Sequence, residues 1–198
     1  MKKAFIVTFS LLMISLTVSA QQPSKAVVQA ALKKFPGVDT AHMEQMIAAK
    51  RVMSIALPTW VPAGFKIEEI KARIGRAVAI EDREFVIIYS RTLQDGKTQR
   101  FALEAGFDGL GGLPYDVTKT LRSPVGMIDL MYEPKDYDED GKPGKKIDNY
   151  VYTEWFKVGN RTDWHYIGMY GAPDEGDPGI AMISLADTER ILRSMTRL

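Results

Sequence analysis

The chain has 198 residues, with 26 basic and 25 acidic side chains and a formal net charge of +1. A near-neutral chain lacks the basic surface of a nucleic-acid-binding protein, so we expect no nucleic-acid partner. The absence of cysteine excludes thiol catalysis, cysteine-ligated zinc and disulfide bonds.

Residues 1–20 have the three-part layout of a secretory signal peptide. Lys2 and Lys3 carry positive charge, a mostly apolar stretch follows, and Val18–Ala20 places small residues before Gln21. Polar residues dilute the stretch and no cysteine follows it, so we expect cleavage rather than a membrane anchor or a lipoprotein. The mature chain then has no membrane span and is expected to be periplasmic or secreted.

Residues 21–53 are predicted to form an N-terminal helical segment with two helices. An apolar helical period opens the segment, and Pro36-Gly37 stops it. Asp39 or Thr40 can cap the second helix through its side-chain oxygen. The buried face of this second helix is expected to consist of Met43, Met46 and Ile47.

Residues 54–198 are predicted to form an antiparallel β-rich domain closed by a C-terminal helix. The runs 84–91 and 99–107 are rich in apolar and alternating residues, and Asp95-Gly96 lies between them. This pattern predicts a β-hairpin. Further strands are expected at 66–70, 126–132, 150–158 and 164–170, and Ser184 and Asp187 resemble the capping box of a final helix.

Segregated helices and strands predict an α+β fold. The short connections favour a curved antiparallel sheet of about six to eight strands, with the two N-terminal helices and the C-terminal helix packed on it. The runs 85–89 and 150–158 are apolar on both faces, so we expect the concave side of the sheet to be covered.

The Gly-rich segment 106–116 is predicted to be a loop. Its glycine spacing does not match a dinucleotide-binding fingerprint. The loop is either a plain connector or a flap over a ligand, with Phe107, Leu110 and Tyr115 as its contacts.

The segment Leu57–Phe65, with the sequence LPTWVPAGF, resembles the opening of a domain found in bacterial envelope and anti-sigma-factor proteins. Those domains are similar in turn to the RseB sensor and the lipoprotein carrier LolA. The tail fits the same pattern, with Trp155 before a turn at Gly159, a tyrosine-containing strand to Gly171, and the helix 191–195.

The resemblance covers residues 54–198 and implies a non-enzymatic protein with a curved half-barrel sheet. Such a sheet would hold an apolar ligand or a protein segment. The chain departs from the lipoprotein members because it has no acylated cysteine, and from the anti-sigma members because it has no internal membrane helix. The Trp-strand-helix ending is also similar to a PsbP-like α/β/α sandwich, which is the alternative fold.

Asp136, Asp138 and Asp140 are the candidate metal ligands. Alternating aspartates followed by Gly141 form the front half of a Ca²⁺-binding loop. The back half departs from the pattern, because the twelfth position is Ile147 rather than glutamate, and lysines lie close by. The segment is therefore either a Ca²⁺ site or a solvated hairpin tip.

If the aspartate loop binds calcium, about 1 mM Ca²⁺ raises the melting temperature of the protein, because the ion binds the folded state. Asp138→Ala is expected to abolish this shift, measured by thermal denaturation followed by circular dichroism. Asp95→Ala, in the predicted hairpin turn, is the control and should keep it. An unchanged melting temperature in the original protein contradicts the site.

The remaining titratable residues give no clear catalytic set. His165 is expected to be a half-buried or surface strand residue, and a general base would need a carboxylate and a nucleophile beside it. Asp163 is expected to face away from His165, and Glu68 and Glu69 are expected to face opposite ways. His42, in the N-terminal helical segment, is expected to be neither a ligand nor catalytic.

The sequence favours an exported, non-enzymatic envelope protein that binds an apolar ligand or an envelope protein segment in the concave face of its sheet. The alternatives are a periplasmic enzyme of unknown class and a structural or assembly partner. Carboxylates converging on His165 would favour the enzyme. The residues that either line a ligand cavity or fill the core are Trp60, Phe65, Tyr89, Phe101, Phe107, Trp155, Trp164, Tyr166 and Tyr170.

Overall fold

The computed structural model describes residues 23–75, 77–106, 119–132, 151–160, 162–171 and 179–198. Within these residues, the chain forms three α-helices and a large antiparallel sheet, which confirms the predicted α+β fold. The predicted signal peptide lies outside the described residues. No α-helix in the described ranges combines the length and apolar character needed to cross a bilayer.

In chain order the elements are α1 (Lys25–Lys34), α2 (Thr40–Ala49), β1 (Ala56–Pro58), β2 (Lys66–Arg73), a 3₁₀ turn (Ile80–Asp82), β3 (Glu84–Thr92), β4 (Thr98–Gly106), β5 (Lys119–Ser123), β6 (Gly126–Met131), β7 (Tyr152–Thr153), β8 (Phe156–Val158), β9 (Thr162–Ile167), α3 (Leu185–Arg193) and β10 (Met195–Arg197).

The two N-terminal helices begin at side-chain caps. Ser24 accepts a hydrogen bond from the backbone of Val27 at the start of α1. Asp39 Oδ1 accepts one from the His42 backbone N–H at 2.8 Å, at the start of α2. Met43 and Met46 are buried, as predicted for the inner side of α2. Local sequence signals therefore determine where both helices start.

The main sheet has the strand order β2-β3-β4-β9-β7-β6-β5, and β8 also pairs with β9. The paired strands of this sheet are antiparallel throughout the described residues. The predicted hairpin is confirmed as β3 and β4, and Gly96 in its turn has a φ of 83°. The predicted strand 150–158 is interrupted, since β7 and β8 are separate strands that both pair with β9.

A small second sheet joins the two ends of the predicted β-rich domain. β1 pairs antiparallel with β10, which follows α3 at the end of the chain. The backbone N–H of Thr59 donates to the Ser194 carbonyl at 3.1 Å, and that of Trp60 donates to Ser194 Oγ at 3.1 Å. Met195 is buried in β10 rather than on the face of α3. The predicted C-terminal helix is confirmed as α3, and the short strand β10 follows it.

The helices pack on one face of the main sheet, which we call the inner face. Alternate residues of β3 and β4 point to this face, and the helical side chains complete one large core with them. The central members of this core are Phe35, Met43, Phe85, Ile87, Tyr89, Phe101, Leu103, Trp164, Tyr166, Ile191 and Leu192. We call the opposite face, which carries Val86, Ile88 and Ala102, the outer face.

Candidate functional site

The predicted calcium ligands Asp136, Asp138 and Asp140 lie outside the described residues, and so do the predicted flap contacts of 107–115. In the part of the chain that the structure describes, no three histidine, aspartate or glutamate side chains are grouped to hold a metal ion. The calcium site and the flap therefore stay predictions.

Aromatic residues of the inner face fill the core. Tyr89 stacks on Phe101 with ring centroids 4.8 Å apart and planes 5° apart. Trp164 is fully buried, and its Nε1–H donates to the Ser54 carbonyl at 3.0 Å. Tyr166 is also fully buried. Of the two interpretations of these rings, the core one is confirmed for these residues.

The outer face carries a second apolar cluster. Val86, Ile88 and Ala102 are buried there, with Val86 only 1% exposed, and Ile167 and Tyr170 pack against them. Residues of the three described helices belong to the large core and not to this cluster. Alternation predicts Tyr170 on the inner face, which is wrong because β9 ends at Ile167 and the chain turns.

His165 lies on the outer face and is buried, with 5% of its surface exposed. The prediction of a half-buried or surface residue is therefore wrong. Its ring stacks on Trp155 at a centroid distance of 5.2 Å and on Tyr152 at 5.9 Å. Strict alternation places Tyr152 and Trp155 on opposite faces, but the break between β7 and β8 brings both rings to His165.

The His165 imidazole has one nitrogen that bonds to none of the described residues. Burial lowers its pKa to about 4, and a hydrogen bond with the Thr153 backbone opposes this shift. Because that bond raises the pKa, it is one in which a ring N–H of His165 donates a hydrogen bond to the Thr153 backbone. Nδ1 has no hydrogen-bond partner among the described residues. At neutral pH the ring is neutral, and Nδ1 is a buried acceptor.

Glu104 is the residue directly opposite His165 in the β4–β9 ladder. Such cross-strand neighbours have Cβ atoms roughly 5 Å apart. Burial raises the pKa of the Glu104 carboxyl, and the negative charge of Glu84 raises it further. No hydrogen bond or ion pair joins Glu104 to another residue in the described ranges. The partly exposed Glu104 carboxylate thus lies on the strand next to the buried Nδ1 of His165.

Glu68 shows how a carboxylate on the same face is normally satisfied. Burial alone would raise its pKa, but hydrogen bonds from Arg100 and Ser90 and the charges of Arg100 and Lys71 hold the pKa below its usual value. Arg100 donates to both carboxylate oxygens of Glu68, at 2.9 and 2.8 Å. Among the described residues, Glu104 has no bidentate partner of this kind.

The prediction that Glu68 and Glu69 face opposite ways is wrong. The pairing of β2 with β3 shifts register between Ile67 and Glu69, so Glu68 is an extra residue in the strand. Glu68 binds Arg100, and Glu69 lies opposite Ile88, so both carboxylates are on the outer face.

The prediction that Asp163 faces away from His165 is also wrong. Residues two positions apart on a strand share a face, and both residues lie in β9. Asp163 lies opposite Lys157 and Gly106, in the cross-strand row next to that of His165. Glu84 lies opposite Gly106 on its other side and pairs in register with Arg73.

The arrangement suits binding better than proton transfer. A general base works best when its pKa is near the working pH. The pKa of His165, about 4, makes the imidazole a weak base at neutral pH. Its unpartnered Nδ1 and the Glu104 carboxylate are both acceptors, and the Tyr152 and Trp155 rings flank the imidazole. We call Glu104, His165, Tyr152 and Trp155 the outer-face site.

Comparison of the chain with family models, with curated proteins and with solved structures gives no match. The resemblance of residues 54–198 to the LolA and RseB domains stays a prediction.

In the sequence, Glu104 is a polar position of the alternating run 99–107. A local signal for it exists, since the Asp95-Gly96 turn sets the hairpin register and places Glu104 opposite Val86. The position of His165, Tyr152 and Trp155 beside Glu104 has no such local signal. It depends on β4 pairing with β9, and on the break that brings Tyr152 and Trp155 to the same side.

Proposed function

We propose that this chain is an exported, non-enzymatic binding protein that holds a small apolar ligand on the outer face of its sheet. One observation carries the proposal: Nδ1 of His165 is buried with no hydrogen-bond partner among the described residues, next to the Glu104 carboxylate and the apolar cluster of that face. Buried polar groups are normally hydrogen-bonded, so an unpaired buried acceptor next to an apolar surface supports a site that a ligand completes.

A small ligand fits this surface better than an extended protein segment. A segment would add as a strand to an edge of the sheet, and one edge is β2. Lysine, arginine and glutamate side chains occupy most of β2, and the bulge at Glu68 distorts it. Charges and bulges are typical of edges that resist strand pairing. Glu104 and His165 lie on the outer face of the central strands β4 and β9, away from that edge.

Binding of the neutral apolar dye N-phenyl-1-naphthylamine tests the proposal. We expect its fluorescence to rise with added protein, and Ile167→Ala to weaken binding at least fivefold. Ile167 packs on the outer-face cluster, and each lost methylene contact costs about 0.8 kcal/mol. A fluorescence titration at pH 7 measures both affinities.

The control is Ile80→Ala, which removes the same side chain from the 3₁₀ turn, where Ile80 is 58% exposed. This variant should bind the dye like the original protein, and circular dichroism should show that both variants are folded. Absence of dye binding, or equal weakening by the two substitutions, contradicts the proposal. Loss of binding only with Ile167→Ala supports it.

A further inference from the structure

We infer that the ligand of the outer-face site carries a protonated amine, which donates hydrogen bonds to the Glu104 carboxylate and to Nδ1 of His165. The inference rests on the proposed function and adds the chemistry of the ligand's polar end. It starts from the cross-strand pair formed by these two residues at the centre of the sheet.

The Glu104 carboxylate and Nδ1 of His165 both accept hydrogen bonds. Nδ1 belongs to a residue that is 5% exposed and has no hydrogen-bond partner in the described part of the chain. An ionised carboxylate has only acceptor oxygens. A hydroxyl group on a ligand supplies one donor and an ammonium supplies three, so an ammonium can satisfy both residues together.

The charges around Glu104 also favour a cation. Lys71 is in the same cross-strand row as Glu104. Because β3 lies between β2 and β4, roughly 10 Å separates the backbone of Lys71 from that of Glu104. Its Nζ is 3.8 Å from Glu69 and 5.6 Å from the centre of the Tyr170 ring. In the next row, Arg73 faces Glu84 across the strands.

The formal charges of that next row cancel, since Lys157 likewise lies opposite Asp163. Among the described residues, Glu104 is therefore the carboxylate on this part of the outer face without a cationic counterpart. A half-buried carboxylate without a counter-charge is unfavourable, and a bound ammonium would remove that cost.

The aromatic rings of the site fit the same ligand class. Trp155 and Tyr152 stack on the His165 ring at 5.2 and 5.9 Å, which places two electron-rich rings beside the acceptors. Cations bind to the faces of tryptophan and tyrosine, and partial burial strengthens the attraction. A metal ion fits less well, because one carboxylate and one imidazole are fewer than the four or more ligands of zinc or calcium.

Two matched fluorescent probes test the inference. Dansylcadaverine has an apolar ring system, a pentyl chain and a terminal primary amine, while N-pentyl dansylamide lacks only the amine. We expect the amine probe to bind the purified protein at least tenfold more tightly at pH 7. Glu104→Gln should reduce this preference to less than threefold, because it removes the negative charge and keeps the shape of the side chain.

Glu68→Gln is the matched control, because Glu68 is on the same face and already bound by Arg100. It should keep the full preference for the amine probe. Equal binding of the two probes by the original protein would overturn the inference and leave the proposed function standing. Failure of both probes and of the neutral dye would overturn both proposals. Displacement of the amine probe by equimolar Zn²⁺ would show a metal site and also overturn the inference.

Discussion

Replacement of Gly37 with alanine is expected to lower the free energy of unfolding by about 2–5 kcal/mol. Gly37 has a φ of 77°, a backbone conformation that costs an alanine about 1–2 kcal/mol. An added Cβ would also lie 2.6 Å from the carbonyl oxygen of Phe65 and 3.3 Å from Lys66 Cα. These are backbone atoms, so relief requires a main-chain shift, and overpacking of this kind costs about 1–3 kcal/mol.

The effect is large because this turn holds two parts of the fold together. Gly37 follows α1, and its carbonyl accepts a hydrogen bond from the Ile67 backbone N–H, in β2, at 2.8 Å. A shift that relieves the clash with Phe65 moves the helical segment away from the edge of the main sheet. The glycine therefore fixes the contact between the N-terminal helices and the start of β2.

Gly96→Ala separates the steric contribution from the conformational one. Gly96 has a φ of 83°, and an added Cβ would meet no atom within 4 Å. This control should cost only about 1–2 kcal/mol. Urea denaturation of both variants measures the difference. Equal destabilisation by the two substitutions would show that the close approach to Phe65 has no energetic weight.

Local signals determined the parts of the fold that the sequence predicts correctly. Asp39 and Ser184 cap helices through their own side chains, and Asp95-Gly96 forms the hairpin turn between β3 and β4. In each case the interacting groups are a few residues apart, so the pattern is readable in one short window. The pairing of β1 with β10 joins distant residues through two short strands, one ending in Pro58, and no local pattern predicts it.

The outer-face site escaped prediction because two irregularities change which residues share a face. A period of two holds only while a strand is regular, and one extra residue reverses every later side chain. The bulge at Glu68 brings Glu69 to the outer face, and the break between β7 and β8 does the same for Trp155. The pairing of Glu104 with His165 depends on tertiary structure and not on sequence spacing.

Acidification from pH 6.5 to pH 4 is expected to reduce the contribution of His165 to stability by about 3 kcal/mol. Burial lowers the pKa of His165 from 6.5 to about 4. Above pH 6.5 the imidazole is neutral in both states, so it adds no pH dependence. Below pH 6.5 the unfolded chain binds a proton that the folded protein does not take up until about pH 4.

The unfolded state therefore binds more protons in this interval, and stability falls by about 1.4 kcal/mol per pH unit until about pH 4. Glu104 acts in the opposite direction. Its raised folded-state pKa lets the folded protein take up a proton earlier than the unfolded chain, so its contribution rises as the pH falls. The measurement must remove this opposing titration, since Glu104 faces His165 across the sheet.

Two variants isolate the contribution of His165 to the pH dependence of stability. They are Glu104→Gln and the double variant Glu104→Gln/His165→Gln, each measured by urea denaturation at several pH values from 7 to 4. The stability of Glu104→Gln should fall relative to the double variant by about 3 kcal/mol over this range. Parallel stability curves would show that His165 titrates alike in the folded and unfolded states. A steeper loss in the single variant would confirm that the fold holds this imidazole neutral, which keeps its Nδ1 available as an acceptor for a ligand.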